Sequence, residues 1–268
     1  MYKLVALDMD GTLLTSDKTI SEPTKLAISK ARQAGVKVVL ASGRPLEGMQ
    51  AKLEELNIDG SEDYVLFYNG SKVQNVSTKE TIHSEISNGY SAKLIARLAQ
   101  ELGVFVHAFS EHHGLITPKH NEYTQIEATI NGLEITEFDF EQLEDSHPII
   151  KTMMVAEPTK LTKAIQAIPE ELREQFTIVQ SAPFFLEFLN PKSNKGVGIK
   201  AIADHLGIHS NEVICIGDAE NDHHMLEYAG LGIAMENAME ETKSIADYIT
   251  ASNNDHGVAK AIEKFVLV

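Results

Sequence analysis

The 268-residue sequence holds one cysteine, Cys215, so no disulfide can form within the chain and a reducing compartment is permitted. Set in the apolar run Val213-Ile214-Cys215-Ile216, that thiol reads as a small buried hydrophobe. No apolar run approaches the roughly 20 residues that a membrane-spanning helix needs. No Gly/Ser-rich linker, internal repeat or low-complexity tract stands out. Positive charge is also short: 23 Lys and Arg against 39 Asp and Glu leave a formal net charge of −16. Such an excess repels nucleic-acid phosphates and anionic membrane surfaces, so neither is expected as a partner. A small anionic substrate stays open, because a bound cation can invert the local sign. Met1-Tyr2-Lys3 runs straight into Leu4-Val5-Ala6-Leu7 and then into two aspartates. A removable leader is therefore not expected, and a cytoplasmic location is.

What is present is a rhythm of strands and helices. Residues 3–8 form a short apolar run, Ser21 offers a helix N-cap with Pro23 just inside it, and Ala34-Gly35 supplies a stop. Residues 36–41 form a second run ending in Ser42-Gly43-Arg44, and residues 64–68 a third ending at Asn69-Gly70. The rhythm resumes with a helix predicted over 195–206, a strand over 213–216 that precedes Asp218, and a strand-like stretch over 231–235. Alternating strands and helices predict a parallel α/β sheet, whose ligands sit beyond the carboxyl ends of the strands. Between the halves the pattern changes to a helix over 91–102 and strand-like stretches over 104–108, 151–155, 177–180 and 184–189, read as an inserted α+β domain. The expected division is a core of 1–83 and 191–268 around an insert of 84–190.

Asp8-Met9-Asp10-Gly11-Thr12-Leu13-Leu14 follows the first strand, with Gly11 permitting a sharp turn. On continuing extended backbone an i, i+2 pair points to one side, so one carboxylate could attack while the other moves protons. A capping or turn pair of aspartates reads equally well from the dipeptide pattern alone.

The wider set decides between these readings. Asp8-x-Asp10-Gly-Thr-Leu-Leu, Ser42-Gly43-Arg44, Lys195-Gly196 and Gly217-Asp218-x-x-Asn221-Asp222 resemble, in order, the four motifs of the haloacid dehalogenase (HAD) superfamily. The place of the insert resembles the Cof-type branch with its α/β type-two cap. The stretches 184–198 and 217–237 and the ending 255–266 are similar to bacterial sugar phosphatases of that branch.

The resemblance implies a Rossmann-like parallel-sheet core and a phosphatase that hydrolyses small phosphomonoesters, sugar phosphates foremost and flavin- or pyridoxal-type phosphates next. Asp8 would be the nucleophile that forms an aspartyl-phosphate and Asp10 the general acid and base. Mg²⁺, a hard ion that takes oxygen ligands, would be held by Asp8, Asp218 and the backbone carbonyl of Asp10, with Asp222 behind them. Ser42, the amides of Met9 and Gly43, Lys195 and Asn221 would bind phosphate, and Arg44 and Asn69 would lie on the substrate rim. A phosphotransferase or phosphomutase is the alternative enzyme, and a non-catalytic phosphate sensor the alternative from another class. The partner expected is a small phosphorylated metabolite, and the oligomeric state is not readable.

Several features take plainer readings. His112-His113 and His223-His224 are adjacent pairs without the spacing of a zinc motif, and are expected to be exposed. Gly196-Val197-Gly198 lacks the third glycine of a dinucleotide fingerprint. Leu94, Leu98 and Leu102 are expected to pack one helix on its own sheet, and His107 is a candidate substrate contact from the insert.

Overall fold

The computed structural model describes residues 1–267. They divide into two compact units: Met1–Gly43, Met49–Ser84 and Asn194–Val268 form the first, and Arg44–Gly48 with Glu85–Ser193 the second. The short segment Arg44–Gly48 thus groups with the insert, although the sequence pattern had assigned it to the core. Among the described residues no helix is long and apolar enough to cross a membrane.

The first unit is built on an eight-stranded sheet in the order Tyr248–Ile249, Leu231–Ala234, Val213–Gly217, Leu4–Asp8, Lys37–Ala41, Tyr64–Phe67, Lys72–Asn75, Thr81–Ser84. The first six are parallel, and the last two add an antiparallel extension that the sequence pattern did not separate. From Leu4–Asp8 the chain winds one way through Lys37–Ala41 to Tyr64–Phe67; after the insert it winds the other way from Val213–Gly217. The reversal falls between Leu4–Asp8 and Val213–Gly217, which makes the crevice at their carboxyl ends the natural ligand position of an open α/β sheet.

Helix Lys195–Leu206 lies on one face, where Ile199, Ile202 and Ala203 join Leu4, Ala6, Val39, Leu66, Val213 and Cys215 in one apolar core. Its start is fixed by Asn194, whose side chain accepts the Val197 amide, and its end by Gly207 in the left-handed conformation. Cys215 is fully buried there, and burial pushes its thiol pKa up, so it packs as an inert hydrophobe. Ser21 does occupy the N-cap position of helix Glu22–Gln33, but its hydroxyl bonds Thr24 Oγ1 (2.9 Å) and makes no side-chain cap bond.

The second unit holds a seven-stranded sheet: Thr177–Ala182, Phe185–Leu189, Pro148–Val155, Phe105–Ser110, Gly114–Thr117 and Ile135–Glu137 in order, with Ser87–Asn88 pairing beside Pro148–Val155. Helix Gly89–Glu101 packs on it through Ala92, Ile95 and Ala99. Leu94, Leu98 and Leu102, expected to form that stripe, are partly buried at its flank.

Candidate active site

Parallel pairing aligns Leu7 with Ile216, so the strands Leu4–Asp8 and Val213–Gly217 end side by side and deliver Asp8 and Asp218 to the same crevice. Asp8, Asp218 and Asp222 each present a carboxylate oxygen within 4.8 Å of the others. Lys195, the first residue of its helix and wholly buried, donates to Asp8 Oδ1 at 2.5 Å and to Asp222 Oδ1 at 2.7 Å. The other oxygen of Asp222 accepts the amides of Asp218 (2.9 Å) and Ala219 (3.0 Å). Asp222 is thereby spent on bracing Lys195 and the turn that carries Asp218. Gly217 makes this possible, since a Cβ there would sit 2.5 Å from the Cβ of Asp222.

The electrostatics follow from two buried carboxylates, Asp8 and Asp222, sharing one ammonium, with the half-buried Asp218 beside them. Burial raises the Asp8 pKa well above the ordinary carboxylate range; Lys195 opposes this, while Asp222 and Asp218 add to it. Burial likewise lifts Asp218 to about 6, against the hydrogen bond it accepts from Thr12 Oγ1 at 2.8 Å. The Lys195 pKa rises too, because the charges of Asp222 and Asp8 outweigh the burial that would pull it down. An all-oxygen donor set with uncompensated negative charge suits a hard divalent cation such as Mg²⁺. Asp8, Asp218 and Asp222 are the residues that could hold such an ion, and both oxygens of Asp222 already accept hydrogen bonds.

The loop after Asp8 does not continue extended, as the i, i+2 argument required. The chain turns at Met9, with Leu13 N donating to Asp8 O (3.1 Å) and Leu14 N to Met9 O (2.9 Å). Met9 is buried, and Gly11 takes φ +89° where any side chain would strike the Asp218 carboxylate. Asp10 Oδ1 accepts Lys18 Nζ at 2.8 Å in an ion pair exposed at both ends, worth about 1 kcal/mol or less.

Ser42, directly after the strand Lys37–Ala41, is buried and tied through its amide to Leu66 O (3.0 Å) and through its carbonyl to the Asn69 amide (2.9 Å). Asn69, at φ +54°, accepts Asn221 Nδ2 at 3.0 Å, and a Cβ on Gly43 would stand 2.9 Å from Asn69 Nδ2. Asn221 therefore braces Asn69, and Asn69 links the Ser42-Gly43 turn to the Asp218 turn. Arg44 donates to Gly48 O at 3.4 Å within the segment grouped with the second unit. His107 is wholly buried, bonded to Thr124 Oγ1 (3.0 Å) and to Met153 Sδ (3.2 Å), which makes it a core histidine. Sequence reasoning missed Thr12, Lys18 and Asn237, whose Nδ2 donates to Gly11 O at 2.8 Å. Only Thr12 carried a signal, as part of the first motif.

Residues 5–262 match the family model of haloacid dehalogenase-like hydrolases. The chain is 42% identical over 270 residues to YxeH of Bacillus subtilis (strain 168), provisionally named a phosphatase, covering 100% of this chain and 99% of that protein. It is 31% identical to the 5-amino-6-(5-phospho-D-ribitylamino)uracil phosphatase YcsE of the same organism, over 99% and 96% of the two chains. Among solved structures, a haloacid dehalogenase-like hydrolase from Bacteroides thetaiotaomicron superposes with a TM-score of 0.87 at 32% identity, over 98% of this chain and 99% of that one. The HAD subclass IIB sugar phosphatase BT4131 superposes with a TM-score of 0.82 at 26% identity, over 99% and 100%. Aspartates at the ends of two adjoining parallel strands, a buried lysine between them and a family match spanning nearly the whole chain lead to one assignment: the chain belongs to the haloacid dehalogenase-like hydrolases and is a phosphatase.

Proposed function

We propose that the protein hydrolyses small sugar phosphates, with Asp8 as nucleophile, Asp10 as general acid and base, and Mg²⁺ as cofactor. The observation that carries this reading is the trio of buried Asp8 and Lys195 with half-buried Asp218, the lysine bonded to Asp8 and the acids converging at one strand edge. An oxygen of Asp8 attacks phosphorus, the bond to the leaving oxygen breaks, and Asp10 gives its proton to that oxygen. Water then attacks the aspartyl-phosphate, loses a proton to Asp10, and frees Asp8 and inorganic phosphate. Asp8, Asp218 and the carbonyl of Asp10 would hold Mg²⁺, which when bound would supply charge neutralisation for the phosphoryl oxygens. Lys195 adds a fixed positive charge beside the nucleophile, and the Ser42-Gly43 turn, held by Asn69 and Asn221, offers donors to the phosphoryl group.

The preference for a hydroxyl-rich leaving group draws on two relatives. BT4131 is described as a sugar phosphatase, and the name of YcsE specifies a phosphorylated ribityl chain. A panel of sugar, alditol, pyridoxal and flavin phosphates, assayed for phosphate release, tests the proposal. Sugar or alditol phosphates should give the highest kcat/KM, excess chelator should abolish turnover, and Mg²⁺ should restore it. Full activity in chelator, or a clear preference for pyridoxal or flavin phosphate, would contradict it.

A further inference from the structure

Asp8 ends a strand, whereas Asp10 belongs to the loop beyond it, within the first unit. Residues 15–19 close the far end of that loop as a tight turn, in which Thr15 N donates to Thr19 O and Lys18 N to Thr15 O, each at 2.9 Å. Three asparagines near the other end of the chain anchor the loop to the rest of the unit. Asn237 Nδ2 donates to Gly11 O at 2.8 Å and Asn253 Nδ2 to Leu14 O at 2.8 Å. Asn254 grips Ser16 twice, its Nδ2 donating to the hydroxyl at 2.9 Å and its Oδ1 accepting the amide at 3.0 Å.

The anchor is itself one piece. Asn253 and Asn254 open the short 3₁₀ turn Asn253–Asp255, whose N-cap Ser252 accepts the Asp255 amide. Asn253 N donates to Asn237 Oδ1 at 2.9 Å, so the carboxamide of Asn237 accepts from that turn and donates to the loop. Two of these attachments bear directly on Asp10. Gly11 follows it in sequence, and Leu14 pairs with it through a single β-bridge.

We propose that Asn237, Asn253 and Asn254 are positioning residues that hold Asp10 at the bond broken next to Asp8; this deepens, and rests on, the reading of Asp10 as general acid and base. Proton transfer needs its two heavy atoms about 2.6–3.2 Å apart, and a misplacement of about 1 Å can cost about 10²-fold. Slack in the loop therefore acts on the proton given to the leaving oxygen. The attack on phosphorus comes from Asp8, which the sheet holds from its other side.

The test is the rate of leaving-group release in a single turnover, measured with Mg²⁺ present on two substrates. One is the sugar phosphate that the wild type hydrolyses best, whose leaving oxygen must be protonated. The other is p-nitrophenyl phosphate, whose leaving group needs little protonation. Asn237 is exposed, so Asn237→Ala should fold, and the melting temperature verifies this. Asn237→Ala should slow the sugar phosphate by about tenfold or more and the aryl phosphate by less than about threefold. Equal slowing of both, the mark of a loosened fold or metal site, would overturn the proposal, and so would no slowing of either. If Asn237→Ala does not fold, Asn254→Ala, whose bonds run to Ser16, is judged by the same ratio. Asp10→Asn is the reference and should show the same dependence on the leaving group at full size, about 10²–10⁴-fold on the sugar phosphate. Equal slowing of both substrates in Asp10→Asn would reject Asp10 as the acid, and this inference with it. Selective slowing in Asp10→Asn beside equal slowing in Asn237→Ala would overturn the role of the asparagines alone.

Discussion

The two units each bury a lysine among carboxylates, and they satisfy it differently. Lys195 in the first unit holds two carboxylates at 2.5 and 2.7 Å, and the remaining oxygen of Asp222 is taken by two amides. Lys151 in the second unit stands 3.1 Å from a carboxylate oxygen that has no hydrogen bond of its own. Burying an ion pair is favourable only when geometry and auxiliary hydrogen bonds repay the lost hydration. The first arrangement meets that condition and reads as a permanent brace for the nucleophile. The second does not meet it at Glu187 Oε2, whose negative charge is compensated without a hydrogen bond.

Removing each lysine breaks the comparison open. Lys195→Met leaves Asp8 and Asp222 buried without their counter-charge, so stability should fall by about 3–5 kcal/mol in denaturant titration. Its kcat/KM should drop by about 10²–10³ or more on every substrate alike, since the lost charge acts on the phosphoryl group common to all. Activity within a few-fold of wild type would show that Lys195 is not part of the catalytic apparatus. Lys151→Met should likewise lower stability, because it leaves Glu187 buried without its counter-charge.

A smaller effect sharpens the same contrast, because His107 lies on the same sheet face as Lys151. Burial first, and the Lys151 charge second, lower the His107 pKa to about 3. The folded state therefore keeps His107 neutral while the unfolded chain protonates it below about pH 6.5. Its contribution to stability is complete above that pH and declines by about 1.4 kcal/mol per pH unit as pH falls toward 3. His107→Gln should lose this component, so its stability should fall less steeply than that of the wild type between pH 6.5 and 4. Parallel slopes would show that His107 titrates normally.

The sequence was most informative where function and fold coincide. Asp8 and Asp218 were legible because each follows a short apolar run, and a parallel sheet sends the ends of such runs to one edge. Lys195 was legible from its motif and its place at a helix start. The bond from Asn221 to Asn69 was not, since it joins turns 152 residues apart whose meeting depends on strand order. Nor was the ion pair of Asp10 with Lys18, because the turn at Met9 is set by amide bonds that side-chain pattern does not encode. In the insert, strand-like stretches were visible over 151–155 and 184–189, but the pattern gave no reading of the charged residues within them. Lys151 and Glu187 are in fact buried at 1% and 3% exposure.

The central claim, that Asp8 carries the phosphoryl group, is tested most directly by rapid-quench trapping of labelled protein with an aryl phosphate, whose leaving group needs little protonation. Wild type should show transient label. Asp10→Asn should take up label and release it slowly, because the base that activates water is gone. Asp8→Asn, which keeps the shape but not the nucleophile, should take up none. Equal labelling of Asp8→Asn and wild type would contradict the account.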